Sequence, residues 1–207
     1  SYVESSAGPW EMLWPVALIA DARQRSFLEV GCGYGFTVDW WRRRVNADAI
    51  GCDPANYAAI GRETLGEHIH HALLDAVPEA RTRQFDVVYA SEVIEHVDDP
   101  IAFVRELAQR LTPRGILTLT TPAAEFVAPE STSGMVTAVL APGFHSVLFS
   151  EHQLGALLRE AGFASVVTRR YNERLVCWCS AEPFALLPGA DASVPEYLDY
   201  LADIINR

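Results

Sequence analysis

A turn built from three glycines follows the first apolar strand and constrains the fold more than any other feature of the sequence. The stretch runs Phe27-Leu-Glu-Val-Gly-Cys-Gly-Tyr-Gly-Phe36, which places the glycines at Gly31, Gly33 and Gly35. Glycine adopts positive φ without strain and lets backbone N–H groups come close to a ligand. The pattern therefore predicts a buried strand, a tight turn and a helix, arranged to bind a nucleotide-like molecule.

The spacing of these glycines separates two kinds of cofactor. A dinucleotide fingerprint, G-x-G-x-x-G, would place its third glycine at Phe36, whereas the chain has it at Gly35. With Glu29 two residues before Gly31, the stretch resembles motif I of the class I S-adenosylmethionine-dependent methyltransferases, E/D-x-G-x-G-x-G. The resemblance implies S-adenosylmethionine as cofactor, and an NAD-dependent oxidoreductase is the disfavoured alternative.

Apolar, β-rich runs alternate with amphipathic segments along the chain. Strands are predicted at 26–30, 47–52, 68–73, 85–90, 116–121, 164–170 and 174–180, and helices at 9–22, 37–44, 56–65, 100–111, 150–161 and 194–205. This order predicts a Rossmann-like, doubly wound α/β fold with a seven-stranded, mostly parallel sheet and helices on both faces. The last two strands are close enough to form a hairpin, which predicts one antiparallel edge strand.

A chain of 207 residues is long enough for one domain with a substantial core. We expect an N-terminal helical cap at 1–25, the cofactor-binding domain at 26–180 and an acidic tail at 181–207. The tail could dock on the domain, form a homodimer or lead into a neighbouring domain.

Charge and cysteine usage exclude some classes of partner. The formal net charge of −11 argues against a nucleic-acid-binding surface, which is normally basic. No apolar run approaches the ~18 residues that would indicate membrane insertion. The four cysteines lack metal-ligand spacing and are expected to be free thiols in a cytoplasmic protein.

Acidic residues at strand ends are the candidates for holding the nucleoside. Asp53 ends the second predicted strand, where a carboxylate can accept both ribose hydroxyls, although it could instead only cap the next helix. The resemblance implies that Asp75 accepts the adenine amino group. The full cofactor-binding set is Glu29, Gly31, Cys32, Gly33, Gly35, Asp53, Pro54, Asp75, Ala76, Ser91 and Glu92.

The segment Glu92-x-x-Glu95-His96 follows the fourth predicted strand, and His145 lies beyond a long loop. If the segment is helical, its three side chains share one face. Related methyltransferases use this pattern to hold a divalent metal such as Mg²⁺, while metal-free relatives carry a similar pattern. His96 and His145 are therefore candidates for catalytic bases, and all four residues for metal ligands.

Further motifs resemble those of one particular group of methyltransferases. The segments Phe85 to Pro100, Leu111 to Pro122 and His145 to Phe163 are similar to the ubiquinone-biosynthesis O-methyltransferase group. The resemblance implies methylation of a small molecule at a hydroxyl, with the first helix and the loop 122–144 covering the acceptor. The alternative is a cofactor-binding but catalytically silent domain of a larger enzyme.

Overall fold

The computed structural model describes residues 8–171 and 173–187. The helices are α1 Gly8–Ala17, α2 Phe36–Arg44, α3 Asn56–Leu65, α4 Pro78–Thr82, α5 Pro100–Gln109, α6 Ser133–Leu140 and α7 Glu151–Glu160. The strands are β1 Phe27–Val30, β2 Ala49–Asp53, β3 Ile69–His71, β4 Phe85–Ser91, β5 Leu111–Pro122, β6 Ser165–Tyr171 and β7 Arg174–Ser180. The predicted helix at 194–205 lies outside the described residues.

The strands form one seven-stranded sheet in the order β3-β2-β1-β4-β5-β7-β6. Strands β1 to β5 pair in parallel, and β7 pairs antiparallel with both β5 and β6. The α/β fold and the terminal hairpin are confirmed. The antiparallel strand itself lies one place in from the edge, and β6 forms the edge. Strand β7 is almost wholly buried while β6 is mostly exposed, so burial favours β7 as the inner strand.

Side chains alternate between two helical layers along each central strand, as strand geometry requires. Phe27 packs with helices α1 to α3, where Trp41 stacks on its ring at a centroid distance of 4.4 Å. Leu28 points to the opposite layer, which α4, α5 and α7 cover. Glu29 therefore faces the α2 side, beside the glycine turn. The alternation of side chains therefore places the Glu29 carboxyl group in the same helical layer as the glycine turn.

The described part of the N-terminal segment packs into the same core. Trp14 is buried against Trp178, with ring centroids 5.8 Å apart, and the Trp178 indole N–H donates to the Pro15 carbonyl at 2.8 Å. Ile19 also forms a β-bridge with Leu186. Trp14 thus contributes to the core and is absent from the lining of the cavity beside the glycine turn, described below.

The state of the cysteines and the length of the helices can be compared with the expectations from composition. The four cysteines, Cys32, Cys52, Cys177 and Cys179, are free and buried. Among the described residues, every helix is too short or too polar to cross a membrane.

Candidate active site

The glycine turn joins β1 to α2 with left-handed backbone at all three glycines. The φ angles are +77° at Gly31, +53° at Gly33 and +81° at Gly35. A Cβ at Gly31 would lie 2.4 Å from a Val93 methyl, and one at Gly35 would lie 2.2 Å from the Ile69 side chain. Nothing crowds Gly33, so its φ alone favours glycine there. The turn thus leaves its backbone bare, as the sequence predicts.

A fourth glycine supports this turn from outside the motif. A Cβ at Gly61, on α3, would lie 2.2 Å from the carbonyl oxygen of Tyr34. Helix α3 can therefore approach the turn only because position 61 has no side chain. A glycine inside a predicted helix is the sequence signal for such an approach, but its partner cannot be read from the sequence.

A cavity of about 390 Å³ lies beside the turn, at the carboxyl ends of β1 and β4. Its lining consists of Glu29, Gly31, Cys32, Gly33, Tyr34, Phe36, Thr37, Tyr57 and Ser91. The carboxyl edge of a parallel sheet is where such folds bind ligands. Five of the predicted cofactor residues are therefore brought together in one cavity.

Two tyrosines form an aromatic wall that the sequence does not indicate. The rings of Tyr34 and Tyr57 are 5.0 Å apart, and Phe36 lies 5.9 Å from Tyr34. Tyr57 belongs to α3, so its place in the cavity depends on how that helix packs. Planar rings at this position suit contact with a purine or another flat group.

Asp53 ends β2, and both of its carboxylate oxygens accept backbone hydrogen bonds. Oδ2 accepts from the Gly33 N–H at 2.9 Å and Oδ1 from the Ala55 N–H at 2.7 Å. The bond to Ala55 tightens the turn before α3, so the capping alternative is part of its role. Each oxygen retains a second lone pair that can accept a hydroxyl.

Three of the other predicted cofactor residues, Pro54, Asp75 and Ala76, lie on exposed turns outside the cavity lining. Pro54 is exposed, and its carbonyl contacts the His71 ring at 3.0 Å. Asp75 and Ala76 are exposed in the 3₁₀ turn after β3. Val77, which follows them, is fully buried in the core. Asp75 therefore remains a prediction that rests on the resemblance.

Glu29 is a buried carboxyl group in the wall of the cavity. Thr37 and the backbone of Val38 lie close to it and partly offset the effect of burial on its pKa, while Oε2 has no hydrogen-bond partner. Burial raises the pKa of Glu29 to about 8, and the negative charge of Asp53 adds to the shift. The raised pKa of Glu29 favours its protonated form at neutral pH in the folded protein without a ligand.

This protonation has a consequence for stability. The native state holds the Glu29 proton up to about pH 8, while the unfolded chain releases it near 4.5, so the free energy of unfolding falls as pH rises between these values. In Glu29→Gln this contribution is absent. We expect the stability of the variant relative to wild type to rise by about 1.4 kcal/mol per pH unit between pH 5 and 8.

Urea unfolding without added ligand, at one-unit steps of pH, measures this difference. Buried Glu95 contributes in the same direction in both proteins and so cancels. Glu160→Gln, on the exposed end of α7, is the control and should follow wild type. Parallel pH profiles for Glu29→Gln and wild type would contradict the assigned protonation.

A second cluster lies just beyond the end of β4. One ligand atom from each of Glu95, His96 and His145 falls within 4.8 Å of the others. The backbone joins the distant residue to the cluster, because the Ser146 N–H donates to the Glu95 carbonyl at 2.7 Å. This contact brings together His145 and a segment some fifty positions earlier, as the sequence predicts.

Hydrogen bonds orient both imidazoles. His96 Nδ1 lies 2.8 Å from the Phe144 carbonyl, and His145 Nδ1 lies 2.7 Å from the Val139 carbonyl. Since a carbonyl only accepts, each Nδ1 carries the proton, and each neutral ring keeps a lone pair on Nε2. A metal-binding histidine is typically oriented in this way.

The carboxyl group of the cluster is fully buried. Thr121 Oγ1 donates to Glu95 Oε2 at 3.1 Å, while Oε1 has no hydrogen-bond partner. Burial, and after it the negative charge of Glu92, raises the pKa of Glu95 above its usual range. A carboxyl oxygen close to one nitrogen of each imidazole is a donor set that fits a cation.

Residues 92–96 do not form the single helix that would place their side chains on one face. Only Ile94–His96 form a short 3₁₀ turn, and Glu92 has left-handed backbone with φ +55°. Glu92 Oε1 accepts from Thr120 Oγ1 at 3.0 Å and lies 3.3 Å from Nε of Arg174. Glu92 is therefore outside the cluster. Arg174 is a site residue that the sequence does not indicate, because β7 brings it there.

A family model described as a methyltransferase domain matches residues 12–168. The chain is 30% identical over 162 residues to a ubiquinone biosynthesis O-methyltransferase from Ruegeria pomeroyi, covering 73% of this chain and 64% of the relative. It is 32% identical over 121 residues to a tRNA U34 carboxymethyltransferase from Pseudoalteromonas translucida, covering 54% and 36%. The chain thus spans less than two thirds of either relative.

A solved structure has the same fold. The S-adenosylmethionine-dependent methyltransferase from Mesorhizobium loti aligns with a TM-score of 0.65 at 16% identity, covering 86% of this chain and 99% of that one. The family match includes the glycine turn, the Asp53 loop and the Glu95–His96 segment. The chain belongs to the methyltransferase domain family, among the class I S-adenosylmethionine-dependent methyltransferases.

Proposed function

We propose that this chain methylates a hydroxyl group of a small molecule, with S-adenosylmethionine as methyl donor. The observation that carries the proposal is the cluster of Glu95, His96 and His145 beside the cofactor cavity. Ser91 lines the cavity, and Glu95 follows four residues later. The cofactor and the acceptor would therefore meet at the end of β4.

The residues at the cavity would hold the nucleoside and the methionine part. The bare backbone of the glycine turn allows close contact, and Asp53 is placed to accept ribose hydroxyls. The aromatic wall of Tyr34 and Tyr57 offers a flat surface. S-adenosylmethionine supplies a methyl group on a sulfonium, and because transfer is an in-line displacement, positioning provides most of the rate.

The cluster would act on the acceptor. A divalent cation held by Glu95, His96 and His145 would lower the pKa of an acceptor hydroxyl and orient its oxygen. Without a metal, the Nε2 lone pair of His96 or His145 could take the hydroxyl proton directly. In either case, the carbonyls of Phe144 and Val139 keep the imidazoles oriented.

The donor set bears on which metal would bind. Two imidazoles and one carboxylate suit Mn²⁺, Fe²⁺ or Zn²⁺ better than Mg²⁺, which prefers oxygen ligands. This differs from the Mg²⁺ expected from four residues that include Glu92. The difference arises because Glu92 is paired with Arg174.

The choice of a small acceptor is supported by charge and by the surface at the cluster. The net charge of −11 disfavours a polyanionic acceptor, although one relative is named for tRNA. Phe144, next to His145, is 76% exposed and offers an apolar contact for an acceptor. Small hydroxylated aromatic compounds combine the required hydroxyl with an apolar body.

An assay of methyl transfer tests the proposal. Labelled S-adenosylmethionine is incubated with catechols, sugars, amines and tRNA, and the labelled products are measured. We expect transfer to a catechol-type hydroxyl, with a rate that falls at least about tenfold after EDTA and returns with Mn²⁺.

Each other outcome identifies an alternative. Transfer only to amines or tRNA would overturn the acceptor assignment, and a rate unaffected by EDTA would overturn the metal. Binding of S-adenosylhomocysteine without transfer to any acceptor would indicate a catalytically silent domain. Thermal stabilisation by NAD and not by S-adenosylhomocysteine would indicate an oxidoreductase.

A further inference from the structure

Arg174 reaches the proposed metal site because of the direction of β7. Strand β7 runs antiparallel to β5, with Arg174 opposite Pro122, so its first residue lies at the carboxyl ends of the parallel strands. The neighbouring strand β4 ends there too, at Ser91. A cationic side chain is thus placed beside a site that would bind a cation.

The guanidinium is directed at Glu92. Arg174 Nε lies 3.3 Å from Glu92 Oε1, and the same oxygen accepts from Thr120 Oγ1. The Glu92 N–H also donates to the Thr120 carbonyl at 3.0 Å, which holds the backbone in its left-handed conformation. Both Glu92 and Arg174 are three-quarters buried, so the pair is weakly screened by solvent.

We propose that Arg174 determines the ligand set of the metal site: by holding Glu92, it limits the protein ligands to Glu95, His96 and His145. This inference rests on the metal in the proposed function. Without Arg174, Glu92 is free to turn toward the cluster and add an oxygen ligand. Arg174 is therefore a positioning residue that acts through Glu92, and it selects against metals that require several oxygens.

Metal titrations of the protein without cofactor test the proposal. Calorimetry with Mn²⁺ compares wild type, Arg174→Gln, Glu92→Gln and the double variant. We expect Arg174→Gln to bind Mn²⁺ about tenfold more tightly, as for gain of a coordinating contact. We expect the double variant to bind Mn²⁺ like wild type. It lacks both Arg174 and Glu92, whose charges cancel and neither of which is a metal ligand in wild type.

A spectroscopic measurement distinguishes two effects of Arg174→Gln: gain of Glu92 as a metal ligand, and loss of one positive charge near the metal. The visible absorption of bound Co²⁺ depends on its coordination, so the spectrum of Arg174→Gln should differ from wild type. Arg170→Gln removes an exposed arginine from neighbouring β6, opposite Leu175, and should match wild type in affinity and spectrum.

Four results would overturn the inference. These are unchanged Mn²⁺ affinity in Arg174→Gln, an unchanged Co²⁺ spectrum in that variant, an equal gain in Arg170→Gln, or much weaker binding in the double variant. The last would mean that Glu92 already ligates the metal in wild type. Absence of Mn²⁺ and Co²⁺ binding to wild type would instead overturn the metal site itself, and methyl transfer could still be found.

Discussion

Replacement of His145 by alanine is expected to lower kcat for methyl transfer about 1000-fold, while the affinity for S-adenosylhomocysteine stays as in wild type. His145 is placed in the cluster by the contact between Ser146 and Glu95, and its Nδ1 proton is directed at the Val139 carbonyl. Its loss removes a metal ligand or a base, and either role affects the acceptor. The cavity lining does not include it, so cofactor binding should be spared.

The measurement uses the best acceptor found by the assay, with kcat and KM determined separately and S-adenosylhomocysteine binding followed by calorimetry. His152→Ala is the matched control, because His152 lies on α7, is exposed, and is outside the cluster. A kcat within about threefold of wild type would exclude His145 from the chemistry. If the affinity of His145→Ala for S-adenosylhomocysteine fell by as large a factor as its kcat, the substitution would have disturbed the fold.

For Asp53→Asn, the affinity for S-adenosylhomocysteine is expected to fall about 100-fold. Hydrogen bonds to a charged group contribute about 1.5–3 kcal/mol each, and each 1.4 kcal/mol is a factor of ten in affinity. The amide also has only one acceptor oxygen. Its NH₂ group would therefore face a backbone N–H, at Gly33 or at Ala55.

Calorimetry with S-adenosylhomocysteine measures the loss, and thermal unfolding of the free variant shows whether the turn is intact. Asp21→Asn is the control, since Asp21 is exposed and its left-handed backbone is one that asparagine tolerates. If Asp53→Asn binds within about threefold of wild type, the carboxylate serves the turn before α3 and does not contact the ribose.

The order of elements could be predicted from the sequence because it depends on local signals. The glycine turn and the alternation of apolar runs each involve a few neighbouring residues, and the structure has both. Helix α4, only five residues long, was not predicted because it is too short for a periodic pattern. Helix α6 was also not predicted, since residues 122–144 were expected to form a loop. The inner position of β7 was also missed, because hairpin spacing does not specify which strand joins the sheet.

Some of the residues that lie together at the cavity and the cluster were indicated by the sequence, and their roles remain predictions. The motif indicated Glu29 and the glycines, and the pattern with the distant histidine indicated Glu95, His96 and His145. Spacing was less informative at Glu92, since the helical face it implied requires a backbone that this residue does not adopt. Trp14, on the first helix that was expected to cover the acceptor, lies in the core, because apolar side chains are more often buried than functional.

The sequence by itself determined the family and the cofactor class, since these depend on residue types at short spacing around Gly31, Gly33 and Gly35. Tertiary structure decided which charged groups meet. Gly61 reaches Tyr34, and Arg174 reaches Glu92, only through the packing of α3 and the antiparallel direction of β7. Contacts between residues far apart in the chain depend on the whole fold, so the sequence alone does not indicate that Arg174 pairs with Glu92, some eighty residues earlier.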